Sequence, residues 1–351
     1  MVLESFEIVR VLVLTTVAFA VAVAWTPALA HILYKFKLGK RIRDEVSAPI
    51  FSKLHAKKAG TPTMGGVLVW VTLLILAILL WQIQAFWPQT WIGHLSFLSR
   101  TQTLLPLGVL VASALVGLAD DYFNVRGIGP NNGGLRMRDR LFIYAAIAAV
   151  GAWWFAFKLD WDLLHLPFLG DFNIGWWYIP FFLLVIVATS FSVNETDGLD
   201  GLAGGTLLTS FGAYAVIAFS QGRYDLAVFC GVLLGGLLAF LWFNIPPARF
   251  IMGDTGAMSL GVTLGVVALL TNTAFLLPVI GSIFVLESFS VIVQMFWKKV
   301  FKRKWILSAP FHHHLEAIGW PESKIVMRAW VVSMVSAGLG TALVLLDALS
   351  H

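Results

Sequence analysis

Residues 226–248 read LAVFCGVLLGGLLAFLWFNIPPA, a run that contains no Asp, Glu, Lys or Arg. A helix that crosses the hydrocarbon layer of a membrane needs about 20 mostly apolar residues. Similar charge-free runs cover residues 11–30, 62–87, 101–119, 172–194 and 201–222. A soluble domain of 351 residues could bury a large core, but it would not need so many runs of spanning length. The sequence therefore predicts an all-α polytopic membrane protein.

We expect about ten transmembrane helices, in a single domain that covers residues 1–351. Residues 255–297 are too long for one span, and the segments 271–273 and 278–281 contain residues that commonly end helices. The expected spans are 8–34, 62–84, 101–119, 139–157, 174–194, 201–221, 224–243, 254–274, 277–297 and 326–347.

The basic residues predict how these spans are oriented. In the ten-span arrangement, 20 of the 24 Lys and Arg residues fall in the loops on one side. The opposite side holds only Arg10, Arg100, Lys158 and Arg223. Because Lys and Arg are enriched in cytoplasmic loops, the richer side is expected to be cytoplasmic, with both chain termini outside.

Five aspartates lie at the ends of the apolar runs, although only 12% of the residues are charged: Asp120, Asp121, Asp197, Asp200 and Asp254. The predicted topology brings all five to the cytoplasmic face. A helix cap or a side chain that reaches toward water would explain one of them, but five on one face favour a polar site. Carboxylate oxygens suit Mg²⁺, which commonly bridges to the phosphates of a substrate.

Two further segments add polar groups on the same predicted face. Residues 55–66 read HAKKAGTPTMGG; the lysines and threonines could contact a diphosphate, and the glycines permit close backbone approach. Residues 309–316 read APFHHHLE. Adjacent histidine side chains diverge, so the run is interpreted as donors to an anionic substrate, an acid–base group or a solvated loop rather than a zinc site. Glu287 lies within the ninth span and is expected either to face a groove or a polar partner, or to pack against a nearby hydroxyl.

These segments together closely resemble the phospho-N-acetylmuramoyl-pentapeptide transferase (MraY) family, which lies within the polyprenyl-phosphate N-acetylhexosamine-1-phosphate transferases. The resemblance extends over about residues 53–316, and residues 60–66, 194–201 and 310–316 contribute most to it. It implies transfer of phospho-MurNAc-pentapeptide from UDP-MurNAc-pentapeptide to undecaprenyl phosphate, which gives lipid I and UMP. It also implies Mg²⁺ as cofactor, the bacterial cytoplasmic (inner) membrane as location and a homodimer as assembly. No nucleic-acid partner is expected.

The resemblance also assigns roles to individual residues. Asp254 and Asp120 are the expected Mg²⁺ ligands, and Asp121 is expected to deprotonate or orient the lipid phosphate, so these three are the predicted catalytic residues. The predicted substrate-binding residues are Lys58, Thr61, Thr63, Asn194, Asp197, Asp200, Asn244, Ile251, Gly253, Gln294, His312, His313 and His314. Direct attack of the lipid phosphate on the donor and a covalent aspartyl-phosphate intermediate both remain open.

The chain departs from the family pattern at several positions. The family often carries lysines after the paired aspartates, whereas this chain has Arg126, Arg136, Arg138 and Arg140, so no catalytic lysine is carried over. Ile251 stands where the family often has a Phe against the uracil, and Phe250 is its neighbour. Glu195 replaces an apolar residue.

Two other functions remain alternatives at this point. A sister transferase would use a UDP-N-acetylhexosamine for another envelope polymer. An ion-coupled transporter would place its acids near the middle of the bilayer, whereas here only Glu287 lies deep in a span.

Overall fold

The computed structural model describes residues 2–39, 58, 60–130 and 133–350. The described helices are α1 (Val2–Lys35), α2 (Val67–Phe86), α3 (Leu104–Arg126), α4 (Met137–Lys158), α5 (Tyr178–Thr196), α6 (Leu202–Ser220), α7 (Tyr224–Asn244), α8 (Gly253–Leu270), α9 (Ser282–Phe301), α10 (Phe311–Ala317) and α11 (Glu322–Ser350). Strands β1 (Leu163–Leu166) and β2 (Gly170–Asn173) form an antiparallel hairpin between α4 and α5. The all-α polytopic prediction is confirmed.

Within the described ranges, nine helices are long and apolar enough to cross a membrane, namely α1 to α8 and α11. The expected ninth span, residues 277–297, corresponds to the short helical turn Leu277–Ile280 followed by α9. This region is less apolar because α9 carries Glu287 and ends with Lys298 and Lys299. Each expected span therefore has a helical counterpart, and one of the ten is more polar than the others.

Helix α8 is the centre of the bundle, and every residue from Thr255 to Leu270 is buried. It packs against α3 and α5. Gly117 permits the close approach of α3, since a Cβ atom at this position would lie 2.4 Å from the carbonyl oxygen of Asp254. The contact brings the last turns of α3 against the first turn of α8, and so positions Asp120 and Asp121 beside Asp254.

The two ends of the bundle carry different structures. We call the end at which α3 and α5 finish and α8 begins the site end. The opposite end, which bears the β1–β2 strands and the last turns of α11, is the hairpin end. The assignment of the site end to the cytoplasm remains a prediction from the distribution of Lys and Arg.

Candidate active site

The glycine-rich segment 60–66 packs against the residues that precede α8. Ile251 donates its backbone N–H to the carbonyl oxygen of Pro62, and Gly65 donates to the carbonyl of Ile251, both at 2.8 Å. Gly253 has a φ of 74°, and a Cβ atom there would lie 2.5 Å from the Thr63 hydroxyl. The glycines thus permit contacts within the chain itself. His55 and Lys57 of the same motif lie outside the described residues.

Asp120, Asp254 and Asn194 are brought together by a residue that the sequence did not single out, Arg140 on the first turn of α4. Its Nη2 atom lies 2.7 Å from Oδ2 of Asp120 and 2.8 Å from Oδ2 of Asp254. Asn194 donates its side-chain amide to Oδ1 of Asp254 at 2.7 Å, and Leu135 donates its backbone N–H to Oδ1 of Asp120 at 2.6 Å. One guanidinium is therefore shared by the two carboxylates predicted to hold Mg²⁺ and offsets part of their negative charge.

Asp121 lies next to this pair but makes different contacts. Thr255 donates its backbone N–H to Oδ2 of Asp121 at 3.0 Å, and the Thr63 hydroxyl donates to Oδ1 at 3.2 Å. Asp121 therefore binds the first turn of α8 and anchors the glycine-rich segment. These contacts suit an orienting residue; its action on the lipid phosphate stays a prediction.

Asp197, Asp200 and Lys58 lie in a second group beside the first. Gly253 donates its backbone N–H to Asp197 at 3.1 Å. The Lys58 ammonium bridges Asp200 at 2.8 Å and Glu322, on α11, at 2.5 Å. Burial opposes the charged form of Lys58, but the hydrogen bonds to both carboxylates outweigh it, so the pKa of Lys58 is raised above its usual value. Lys58 is thus a paired cation, and Glu322 is a partner that the sequence did not reveal.

The three histidines lie within α10, and their side chains are in different environments; the ring of His314 lies 6.0 Å from that of Phe311. His312 is buried; its backbone N–H and Nδ1 lie 3.2 and 3.0 Å from the same Glu287 oxygen. His313 contacts Glu316 at 2.7 Å through Nδ1. Glu287 therefore faces a polar partner, one of the two outcomes expected for it. The ring of His312 covers Gly198, since a Cβ atom there would lie 2.1 Å from Nε2.

Asn244 and Gln294 are buried and use their amides on the backbone of the chain. Asn244 accepts from the N–H of Gly201 and donates to the carbonyl of Phe250, both at 2.8 Å. Gln294 accepts from Trp305 and Ile306 and donates to the carbonyl of Ile306, so it orders the segment that follows α9. Both residues hold segments of the backbone in place; their direct contact with substrate stays a prediction.

Phe250 and Ile251 differ in exposure. Phe250 is fully buried, with its ring centroid 6.0 Å from those of Phe240 and Phe243. Ile251 is only partly buried and directly precedes Met252 and Gly253. Of the two, Ile251 is the side chain that a ligand could contact without unpacking the aromatic cluster.

An apolar cavity of about 230 Å³ lies between α5, α8, the segment that follows α8 and the start of α9. Its wall includes Leu184, Ala188, Leu264, Phe284 and Val285. Ser192 and Val193 line its end nearest Asn194, because they directly precede that residue on α5. None of the site carboxylates lines the cavity, and most of its wall lies in the middle of the bundle and toward the hairpin end.

The carboxylate pair fits a magnesium ion that is completed by other ligands. Among the described residues, no group of three or more His, Cys, Asp or Glu side chains forms a metal cage. Mg²⁺ is commonly bound by one or two carboxylates together with waters and substrate phosphates. Arg140, held by both acids, stands in for such a cation and shows that the pair attracts positive charge.

The helices and the carboxylate pair define a multi-span membrane protein with a polar site at one end of its helix bundle. Residues 103–272 match the model of glycosyl transferase family 4, and residues 58–68 match phospho-N-acetylmuramoyl-pentapeptide-transferase signature 1. Proteins named phospho-N-acetylmuramoyl-pentapeptide-transferase from Chloroflexus aggregans and Geobacillus kaustophilus are 38% and 39% identical to it. These alignments cover 97% and 94% of this chain, and 91% and 96% of the relatives. The chain belongs to the phospho-N-acetylmuramoyl-pentapeptide transferase family.

Proposed function

We propose that this protein transfers phospho-MurNAc-pentapeptide from UDP-MurNAc-pentapeptide to undecaprenyl phosphate, producing lipid I and UMP for peptidoglycan synthesis. The observation that carries the proposal is that Arg140 joins Asp120, Asp254 and Asn194 at the site end, in a chain of this family. The acceptor's phosphate would lie next to these carboxylates.

The location and assembly follow from the same proposal. The protein would lie in the bacterial cytoplasmic membrane, with the site end toward the cytoplasm and both termini outside. The 20 Lys and Arg residues on the predicted cytoplasmic side support this orientation. A homodimer is a further expectation from the family.

Asp120 and Asp254 would hold Mg²⁺, and the ion would neutralise charge on the donor diphosphate. Asn194 keeps Asp254 in position through its 2.7 Å hydrogen bond, and Leu135 does the same for Asp120. Catalysis further requires that the two phosphates are aligned and that water is kept away from them. The buried α8 and the surrounding helices provide a rigid frame for that alignment.

Direct attack of the lipid phosphate on the β-phosphate of the donor is our preferred route. Both oxygens of Asp121 accept hydrogen bonds, which stabilise the carboxylate and make it a weaker nucleophile. Incubation of the purified protein with donor alone tests the choice. Protein that carries covalently bound phospho-MurNAc-pentapeptide, with UMP released in equal amount, would exclude the direct route.

The decisive test of the activity is UMP release by purified protein with UDP-MurNAc-pentapeptide, undecaprenyl phosphate and Mg²⁺. We expect turnover that EDTA abolishes and that UDP-GlcNAc does not support. Release of UMP from UDP-GlcNAc would point instead to a sister transferase. No release from either donor by folded protein would contradict the proposal.

A further inference from the structure

Arg140 occupies the position that a divalent cation would need. A single nitrogen, Nη2, contacts Oδ2 of both Asp120 and Asp254, and Nη1 lies 3.4 Å from the Asn194 amide oxygen. Two neighbouring carboxylates repel each other, and this guanidinium reduces the repulsion. The group is therefore an internal counter-ion of the pair.

A divalent cation cannot join this arrangement without a change. Mg²⁺ binds oxygen ligands at about 2.1 Å, so an ion on the same two oxygens would lie no more than about 5 Å from Nη2. A doubly charged ion and a guanidinium repel strongly at such a distance in a partly buried site. Arg140 has to withdraw from the shared oxygens as the ion binds.

Arg140 also has unused capacity for an anionic ligand. Its Nε–H is buried and, within the described part of the chain, has no hydrogen-bond partner. A guanidinium presents its N–H groups as a planar fork that fits two phosphate oxygens. Because Arg140 is anchored on the first turn of α4, a withdrawn side chain stays beside the carboxylates, where a phosphorylated substrate would lie.

We propose that Arg140 and the divalent cation compete for the carboxylates of Asp120 and Asp254, and that the displaced guanidinium binds a phosphate of the donor. The proposal rests on the proposed function for the identity of the donor. The competition itself concerns only the protein and the ion, so it can be tested without turnover. Arg140 thus offsets the charge of the carboxylates until the cation binds, and then turns to the substrate.

Arg140→Gln should change two properties in opposite directions. The Kd for Mn²⁺, measured from free Mn²⁺ by EPR on purified protein without substrate, should fall at least about tenfold because the competing cation is gone. The KM for UDP-MurNAc-pentapeptide at saturating Mg²⁺ should rise about tenfold or more, because a phosphate ligand is lost. A site that was merely damaged would bind both ligands more weakly.

Two further variants make the result specific. Arg140→Lys keeps the charge but replaces the fork by a single ammonium, so its Mn²⁺ affinity should stay closer to that of the parent while the KM still rises. Arg138→Gln removes the same charge from an exposed position two residues away and should change neither property by more than about twofold.

The opposite results would overturn the proposal. Unchanged or weaker Mn²⁺ binding by Arg140→Gln would exclude competition. An equal fall in the Kd for Mn²⁺ in Arg138→Gln would show that long-range electrostatics, rather than competition at the carboxylates, causes the effect. If neither the parent nor the variants bound Mn²⁺, the proposed metal site itself would be refuted. UMP release by the parent protein, measured separately, distinguishes each of these outcomes from a failure of the proposed function.

Discussion

The two ends of the helix bundle both hold buried charges, but they use them differently. At the hairpin end, Arg10 contacts Glu7 and Asp225, and His165 lies between Asp171 and Asp347. These groups join α1 to α7, and the hairpin to α11. A second cavity, of about 870 Å³, lies at the hairpin end and is larger than the apolar cavity, so cavity size does not identify the site.

At the site end, acidic groups from several elements converge at one place. Asp120 and Asp121 come from α3, Asp254 from α8, and Asp197 and Asp200 from the connection between α5 and α6. Arg140 and Lys58 each bridge two carboxylates. The comparison teaches that a buried ion pair usually reflects structure, whereas convergence of several acids from different elements at one place indicates function.

The strongest test of this comparison exchanges one acid at each end for its amide. Asp254→Asn should lower kcat by at least about 1,000-fold, because a cation ligand is lost while the shape of the side chain is kept. Asp225→Asn, at the hairpin end, should change kcat by less than about threefold, because it weakens only a partly exposed pair with Arg10. UMP release by protein of equal thermal stability measures both. Substantial turnover in Asp254→Asn would remove that residue from the metal site.

The next largest effect should follow loss of the Lys58 bridge. Lys58→Gln leaves the carboxylates of Asp200 and Glu322 without their shared cation, so they should repel and displace the 197–200 segment. We expect kcat/KM for the donor to fall by about 100-fold. Lys324→Gln, which loses only a contact with the ring of Trp320 just before α11, is the matched control. Equal effects of the two changes would refute a specific role for the bridge.

A smaller effect should follow from adding one methyl group to the same segment. The Cβ atom of Gly198→Ala would lie 2.1 Å from Nε2 of His312, so the segment or the ring has to shift. Donor kcat/KM should fall by about tenfold, since small displacements at an aligned site are costly. At Gly212, on α6, an added Cβ meets nothing within 4 Å, and Gly212→Ala should behave as the parent. A variant at Gly198 with parental kinetics would show that the contact with His312 is dispensable.

Much of the fold could be predicted because the thickness of a bilayer sets the length of a charge-free run. The same rule gave the position of α9. It did not give the polar contact of Glu287 on this helix, because its partner His312 is far away in the sequence. The hairpin of β1 and β2 was not predicted. Its strands are only four residues long, and their pairing depends on contacts such as that between the backbone N–H of His165 and Asn272.

The acidic residues of the candidate site could be predicted from the sequence more readily than the basic residues that pair with them. Short connections force Asp120, Asp197 and Asp254 to one end of the bundle, so their convergence followed from topology. Arg140 could not be told from Arg136 and Arg138 by charge alone. One sequence signal was present, because Arg140 and the buried Tyr144 lie four residues apart on one face of α4. The contact between Glu322 and Lys58 could not be predicted, because most of the chain separates the two residues in sequence.

The smallest expected effect is at the hairpin end and concerns stability rather than turnover. Burial disfavours the charged form of His165, but the hydrogen bonds that its ring donates to Asp347 and Asp171 outweigh it, so the pKa of His165 is raised above its usual value near 6.5. A raised histidine pKa stabilises the folded state fully below the unfolded pKa, and this contribution is lost as pH rises through the folded pKa. The difference in Tm between the parent and His165→Gln should therefore be on the order of 2 °C at pH 6 and shrink as the pH is raised. UMP release should be unchanged, and His94→Gln, at an exposed position of the same end, should show no such trend. A Tm difference that is constant with pH would mean that His165 joins the hairpin to α11 by packing, without the charge that its two carboxylate partners favour.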